Sequence, residues 1–449
     1  MSRNNPGRKG NNRLLWRIHH WAGLYTGILI GVLSLTGALA VFIPELDAFI
    51  KKTHYRAVST APAEGEYPRF GESVAQLLRE YPDFRSYYVE LPERPGAVAE
   101  IMLSIPREGG GSQTLAFFVD VGQDRILGSR VHQNSLANYM RQMHVRLYDG
   151  YWGRQLVGLG GIALTVLVIT GLLIYGNFMK RQSWPQVRKE RGIRIAWADW
   201  HKILGIGALA FNLVIALTGA WLGLQPVLMR WLDMHAPNRH TPEIRMEANE
   251  DKAKVIDWER AFAAAREAFP ELEIGQVNVS VNGSSTLTFR GSIKGTVYER
   301  NINSLVLSKE TLTPVYQYDV RTKPFSHKFF YIQEALHFGD FGGLALKIVY
   351  AVLGLVSGFL SISGFVIYLC RKRKKKGNEH AALKLTVVYC LGIVLLLAVI
   401  ALVSLFAGYA TAALGAAIFI NGLLAGLLVY ALIRFFVRRR RFKGKKEVA

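Results

Sequence analysis

Only two cysteines occur in the 449 residues, Cys370 and Cys390. No Cys-x-x-Cys-His sequence is present, which excludes the usual covalent c-type haem attachment, and no thiolate metal cluster can be assembled. The two long connecting segments, 45–143 and 230–336, hold no cysteine at all, so disulfides do not brace them. Charge is also missing from long stretches. Ala22–Pro44, Gln155–Met179, Ile203–Met229 and Ile348–Cys370 contain no Asp, Glu, Lys or Arg, and neither do the 49 residues of Leu385–Ile433. Each of the first four can cross a hydrocarbon core of about 30 Å, and the last can cross it twice with a turn near Gly408–Thr411.

The sequence therefore predicts an α-helical polytopic membrane protein with six spans, at 19–44, 144–179, 201–229, 337–370, 385–407 and 410–433. The net charge of +22 reports topology rather than nucleic-acid binding. Segments 1–18, 180–200, 371–384 and 434–449 carry essentially all of the basic excess, whereas the remaining charges balance. Six spans put those four segments on one side, which the positive-inside rule assigns to the cytoplasm together with both termini. The segments 45–143 and 230–336 are then external. Ala38-Leu39-Ala40 resembles a signal-peptide cleavage site. The apolar run before it is longer than an h-region and has a mid-chain counterpart, so it is read as a retained helix.

That counterpart belongs to an internal duplication of the first four spans. His19 precedes Thr36-Gly37 at the spacing by which His201 precedes Thr218-Gly219, and His144 precedes Thr170-Gly171 at the spacing by which His337 precedes Ser363-Gly364. His19 and His201 stand at cytoplasmic boundaries, His144 and His337 at external ones. Ionisable groups at such positions are costly and usually functional. An iron held by two imidazoles has no open coordination position, so it carries electrons instead of activating a substrate. The symmetry predicts one haem held by His19 and His201 and a second held by His144 and His337, two b-type haems per chain with these four residues as the iron's axial ligands. His20 cannot share an iron with His19, because adjacent helical residues point about 100° apart. It aligns with Lys202 and is read as an interfacial or haem-propionate partner. His54, His132, His235, His240 and His327 are read as domain or surface residues, with His132 and His327 as further propionate or substrate candidates, and His380 as solvated. The Thr-Gly and Ser-Gly pairs are read as packing features, the hydroxyl bonding back to its own helix.

Each external segment reads as a small α/β domain. The first has a helix at Glu72–Tyr81 and strands at Ser86–Leu91, Val98–Ile105 and Leu115–Val121. The second has a helix at Trp258–Phe269 and strands at Ile274–Val281, Ser285–Arg290 and Thr296–Ile302. The last two spans lie outside the duplication and are read as a packing or docking hairpin, with Gly422 and Gly426 permitting close approach.

Ile18-His19-His20-Trp21-Ala22-Gly23 with Thr36-Gly37, and Trp200-His201-Lys202-Ile203-Leu204-Gly205 with Thr218-Gly219, resemble the PepSY-associated transmembrane family, in particular its PiuB-like, ferric-siderophore reductase type. The resemblance covers residues 10–372 and makes the external segments PepSY-like domains, with Phe118-Val119-Asp120 and a Gly128 turn as their clearest piece. It implies a multi-pass protein of the bacterial inner membrane that passes electrons through haem b to a periplasmic ferric siderophore. Some relatives carry a C-terminal flavin reductase domain. Here Arg438–Lys446 stands at that end, so the resemblance points to a separate cytoplasmic electron donor or the quinol pool. Two other readings compete: a cytochrome b-type subunit serving a partner oxidoreductase, and a non-enzymatic PepSY regulatory or binding membrane protein.

Overall fold

The computed structural model describes residues 6–55, 67–92, 97–107, 111–179, 186–237, 256–279, 286–297, 301–372, 379–408 and most of 410–426. His240, the basic segment 434–449 and the end of the sixth expected span lie outside them. Among the described residues, five helices are long and apolar enough to span a bilayer: Arg13–Ala40, Gly150–Gly176, Leu209–Trp231, Asp340–Arg371 and His380–Ser404. A shorter apolar helix, Ala410–Leu423, follows the Gly408 turn, where φ is +87°.

The first four spans form a bundle around close backbone approaches. Helix α1 (Pro6–Ala40) packs on α10 (Gly343–Lys372), and α5 (Gly150–Met179) packs on α7 (Leu209–Trp231). Small residues allow both contacts. A methyl group added at Gly223 would lie 2.4 Å from the Gly158 Cα, and one at Gly354 would lie 3.0 Å from the Ala38 Cβ. Without a hydrophobic drive between helices in lipid, such close packing is what holds them together.

The expected third span is two helices rather than one. Helix α6 (Ile193–Gly207), which carries His201, breaks at Ala208 before α7 begins. His144 and His337 likewise sit on short helices of their own, α4 (Leu136–Arg146) and α9 (Phe325–Phe338). Left-handed backbone at Leu147 and Tyr148, and at Gly339 and Gly343, turns the chain from these helices into α5 and α10. The chain can thus tip each histidine into the bundle at an angle that a straight span would forbid.

The two expected domains are joined as one eight-stranded antiparallel sheet. Its strands are β1 (Ser86–Glu90), β2 (Ala99–Pro106), β3 (Ser112–Asp120), β4 (Arg125–Val131), β5 (Glu273–Val279), β6 (Thr286–Ser292), β7 (Asn303–Ser308) and β8 (Pro314–Tyr318), in the order β4-β3-β2-β1-β5-β6-β7-β8. The seam is β1 against β5, with Val89 opposite Val277. Strands β4 and β8 were not expected, and β7 begins after the expected Thr296–Ile302 run. Gly128 lies in β4 opposite Phe118 rather than in a turn, and the Tyr55 ring occupies the space its side chain would need.

Alternation gives the sheet two faces. One buries Val89, Ile101, Leu103, Val277, Phe289 and Leu305 beneath α3 (Gly71–Glu80) and α8 (Trp258–Ala268). On the other face, at the β4 end, Met102, Ala116 and Phe118 meet Tyr55, which follows α2 (Ile43–His54). Here Lys51 bonds Asp47 and the nearly buried Glu100, while Arg130 donates to Asp47 at 2.9 Å. Burial alone would raise the Asp47 carboxyl, but Lys51 and Arg130 together hold it below its usual range. The network ties α2, and through it the end of α1, to the sheet.

Helix α11 (Glu379–Phe406) and Ala410–Leu423 lean on α4, where Tyr139 Oη donates to the Leu397 carbonyl at 2.7 Å and Met143 packs near Ala412 and Ala416. A methyl group at Gly422 or Gly426 would meet nothing within 4 Å, so among the described residues no helix closes on that pair.

Candidate functional site

The four boundary histidines are each held by a hydroxyl on another helix. His19 Nδ1 lies 3.0 Å from Thr170 Oγ1, His144 Nδ1 3.2 Å from Thr36 Oγ1, His201 Nδ1 2.7 Å from Ser363 Oγ and His337 Nδ1 2.9 Å from Thr218 Oγ1. The hydroxyl hydrogen is already used in every case. Thr36 donates to the Val32 carbonyl at 2.7 Å, Thr170 to Val166 at 2.6 Å, Thr218 to Val214 at 2.7 Å and Ser363 to Leu360 at 3.0 Å. The oxygen that faces the ring is therefore an acceptor, and Nδ1 must carry the proton. Nε2 is left with its lone pair, the form in which imidazole binds a metal.

The glycine after each hydroxyl residue makes room for the same ring. A methyl group at Gly37 would lie 2.9 Å from His144 Cε1, at Gly219 3.2 Å from His337 Cε1, at Gly171 3.4 Å from His19 Cε1 and at Gly364 3.8 Å from His201 Cε1. The Thr-Gly and Ser-Gly pairs thus do more than pack: the first residue fixes the tautomer of a histidine, and the second admits it. The fixed histidine-to-hydroxyl spacing was visible in the sequence, but it joins residues of different partners. Each hydroxyl serves the histidine of the other helix in its half.

Across the halves, the histidines meet in two layers. The His19 and His201 ring centroids are 6.3 Å apart with planes at 87°, and those of His144 and His337 are 6.2 Å apart at 32°. Two imidazoles on opposite sides of one ion, with metal–nitrogen bonds of about 2 Å, would have centroids about 6.3 Å apart. Both layers fit a single six-coordinate iron by this measure. The His19–His201 layer opens on a cavity of about 250 Å³ whose wall includes Gly23, Gly27, Gly171, Gly205 and Gly364. A methyl group at Gly27 would meet nothing within 4 Å, so the cavity is open beside that residue. The ring separations of both layers, and the cavity beside the His19–His201 layer, are compatible with haem held between paired imidazoles.

His20 stays outside the ligand pair. Its ring stands 5.5 Å from Tyr368 at the mouth of the cavity, beside Arg371. His132 is half-buried, and burial, then Arg130, keeps its imidazole below the usual range. His327 stacks on Tyr318 at 14°, with Nδ1 3.1 Å from the phenol oxygen, which makes it part of the α9 packing. His54, His235 and His380 are exposed. Two cations inside the bundle, the half-buried Arg154 and the buried Lys347, escaped the sequence reading. Arg154 donates to the Leu222 carbonyl and Gln225, and Lys347 pairs with Glu45 at 2.7 Å. Each stands ten residues beyond its layer histidine, His144 or His337, so the duplication held the signal.

An uncharacterised protein of Pseudomonas aeruginosa is 26% identical to this chain over 271 residues, covering 56% of this chain and 68% of the relative. Residues 16–371 match the PepSY-associated TM region family, a stretch that contains both histidine layers and the whole sheet. The chain belongs to the PepSY-associated TM region family.

Proposed function

We propose that this chain is a PiuB-like, two-haem b carrier of a bacterial inner membrane that delivers electrons to a ferric siderophore on the side of the sheet. The observation that carries the proposal is the pair of histidine layers, at 6.3 and 6.2 Å, with every Nδ1 within hydrogen-bond distance of a hydroxyl on another helix. When bound there, haem supplies one-electron exchange between ferric and ferrous iron, which none of the side chains provides. Thr36, Thr170, Thr218 and Ser363 orient the four ligands, and the glycines beside them keep the ring space open. The apolar walls of α1, α5, α7 and α10 keep water away. The basic segments make the His19–His201 side cytoplasmic by the positive-inside rule, so the His144–His337 layer faces the periplasm beneath the sheet.

The sheet supplies a polar roof there. The Tyr88 hydroxyl, pushed up to about 12 chiefly by burial, also lies in the field of Arg141, one turn before His144 on α4. The half-buried Tyr88, Glu90, Gln276 and Asn278 share that face across the seam, a surface on which a bulky chelate can rest while receiving an electron from the layer below. Reduction to Fe(II), a softer ion, weakens hard oxygen-donor chelation and releases the iron. The test is reoxidation of dithionite-reduced protein by a ferric hydroxamate siderophore. Fast reoxidation that is lost in His337→Ala supports the reading, and equal rates in both proteins sink it.

A further inference from the structure

Beside the His19–His201 cavity lies a second, open groove of about 470 Å³, lined by Trp16, Arg17, His20, Trp21, Tyr368 and Arg371. Four of these, Trp16, His20, Tyr368 and Arg371, also line the cavity, so one space leads into the other. We infer that this groove is the site at which the protein takes its electrons, and that the donor is a membrane hydroquinone.

Three observations choose that chemistry. The groove sits on the outer face of the α1–α10 pair, at the end of the bundle away from the sheet, where Trp16, Trp21 and Tyr25 are exposed. A ligand would enter sideways from lipid. Its walls are flat rings: Trp21 stacks on Tyr25 at 19°, and His20 stands between Trp21 and Tyr368. A substituted six-membered ring fits between such faces. Its polar side chains are Arg17, His20, Tyr368 and Arg371. Arg371 lies over the Trp16 ring at 5.2 Å, and no hydrogen bond to another described residue occupies the His20 ring nitrogens. A guanidinium and an imidazole can hold the two oxygens of a quinone or hydroquinone.

The inference rests on the two-haem reading. In the step, the hydroquinone breaks its two O–H bonds and becomes the quinone. Haems held by His19 with His201 and by His144 with His337 would supply the one-electron acceptors for its two electrons, and its two protons would leave to water at the mouth of the groove.

The test uses the full-length, haem-loaded protein in lipid nanodiscs. An azidoquinone photolabel should attach to peptides containing residues 16–21 and 368–371, and decylubiquinone should compete it away. Decylubiquinol should also reduce the bound haem. His20→Leu and Arg371→Leu should each cut labelling, and the quinol-dependent rate per bound haem, at least tenfold. Labelling confined to other peptides, or variants that label and react like the parent, would overturn the inference. So would loss of haem from both variants, since these residues would then hold haem propionates. A protein that is labelled in the groove yet binds no haem would support the site and overturn the two-haem reading instead.

Discussion

His144 Nδ1 lies 3.2 Å from Thr36 Oγ1, and Gly37 next to that threonine leaves the His144 ring space that a methyl group would take. The same device recurs at the other three boundary histidines, and its two parts can be tested separately.

Removing the acceptor should loosen the metal without emptying the space. Thr218→Val keeps the shape of the side chain but offers His337 no oxygen, so Nδ1 loses its partner. Loss of such an orienting bond commonly costs about 10–100-fold in metal affinity. Transfer of haem to apomyoglobin should accelerate accordingly for one of the two haems, and Thr218→Ser should restore retention. Equal release from Thr218→Val and the parent would show that the hydroxyl does not orient the ring.

Filling the space should act by distance. In Gly37→Ala the new methyl would sit 2.9 Å from His144 Cε1, whereas in Gly364→Ala it would sit 3.8 Å from His201 Cε1, ordinary contact. The first variant should lose haem from the His144–His337 layer, and the second should keep both. Haem content measured on the two purified variants decides this, and loss in Gly364→Ala alone would contradict it.

The layers should also be spectroscopically unlike. Ligand planes at 87° in one layer and 32° in the other place the iron orbitals in different fields. Electron paramagnetic resonance of the oxidised protein should resolve two low-spin ferric signals, a strongly anisotropic one that disappears in His201→Ala and a rhombic one that disappears in His337→Ala. A single signal shared by both layers would refute the difference in geometry.

Acid should weaken the join between α2 and the sheet. Asp47 is held below the usual carboxylate range by Lys51 and Arg130, so its folded pKa is lower than its unfolded one. The stability it contributes is present above about pH 4 and is lost as pH falls through the folded pKa. Thermal unfolding of the parent should therefore drop more steeply than that of Asp47→Asn as pH falls from about 5 to about 3, a window that brackets the value of about 4 for an unperturbed Asp. Parallel curves would remove Asp47 from the account.

The sequence carried the layers because histidine, hydroxyl and glycine recur at fixed spacing, and a local period survives duplication. It carried less of what bends the chain. Nothing local marks Ala208 as a break, and the left-handed Leu147 and Tyr148 are not residues that favour such backbone. The hairpin alternation of β1 and β2 was legible, but the pairing of Val89 with Val277 is set by where the bundle holds the two domains. Strand β4 escaped because Gly128 reads as a turn until Tyr55, far away in the chain, takes its place beside it. The hydroxyls were read in part for a related reason: each makes the expected bond within its own helix, but the second contact, to a histidine more than a hundred residues away, exists only in the folded bundle.

The most direct test of the central claim is haem stoichiometry, by pyridine haemochrome, in the parent and in four single variants. The account predicts two b-type haems per chain. His19→Ala and His201→Ala should each remove the same one, and His144→Ala and His337→Ala should each remove the other. A parent that shows no Soret band after loading would contradict the account outright, as would His19→Ala and His144→Ala depleting one common haem.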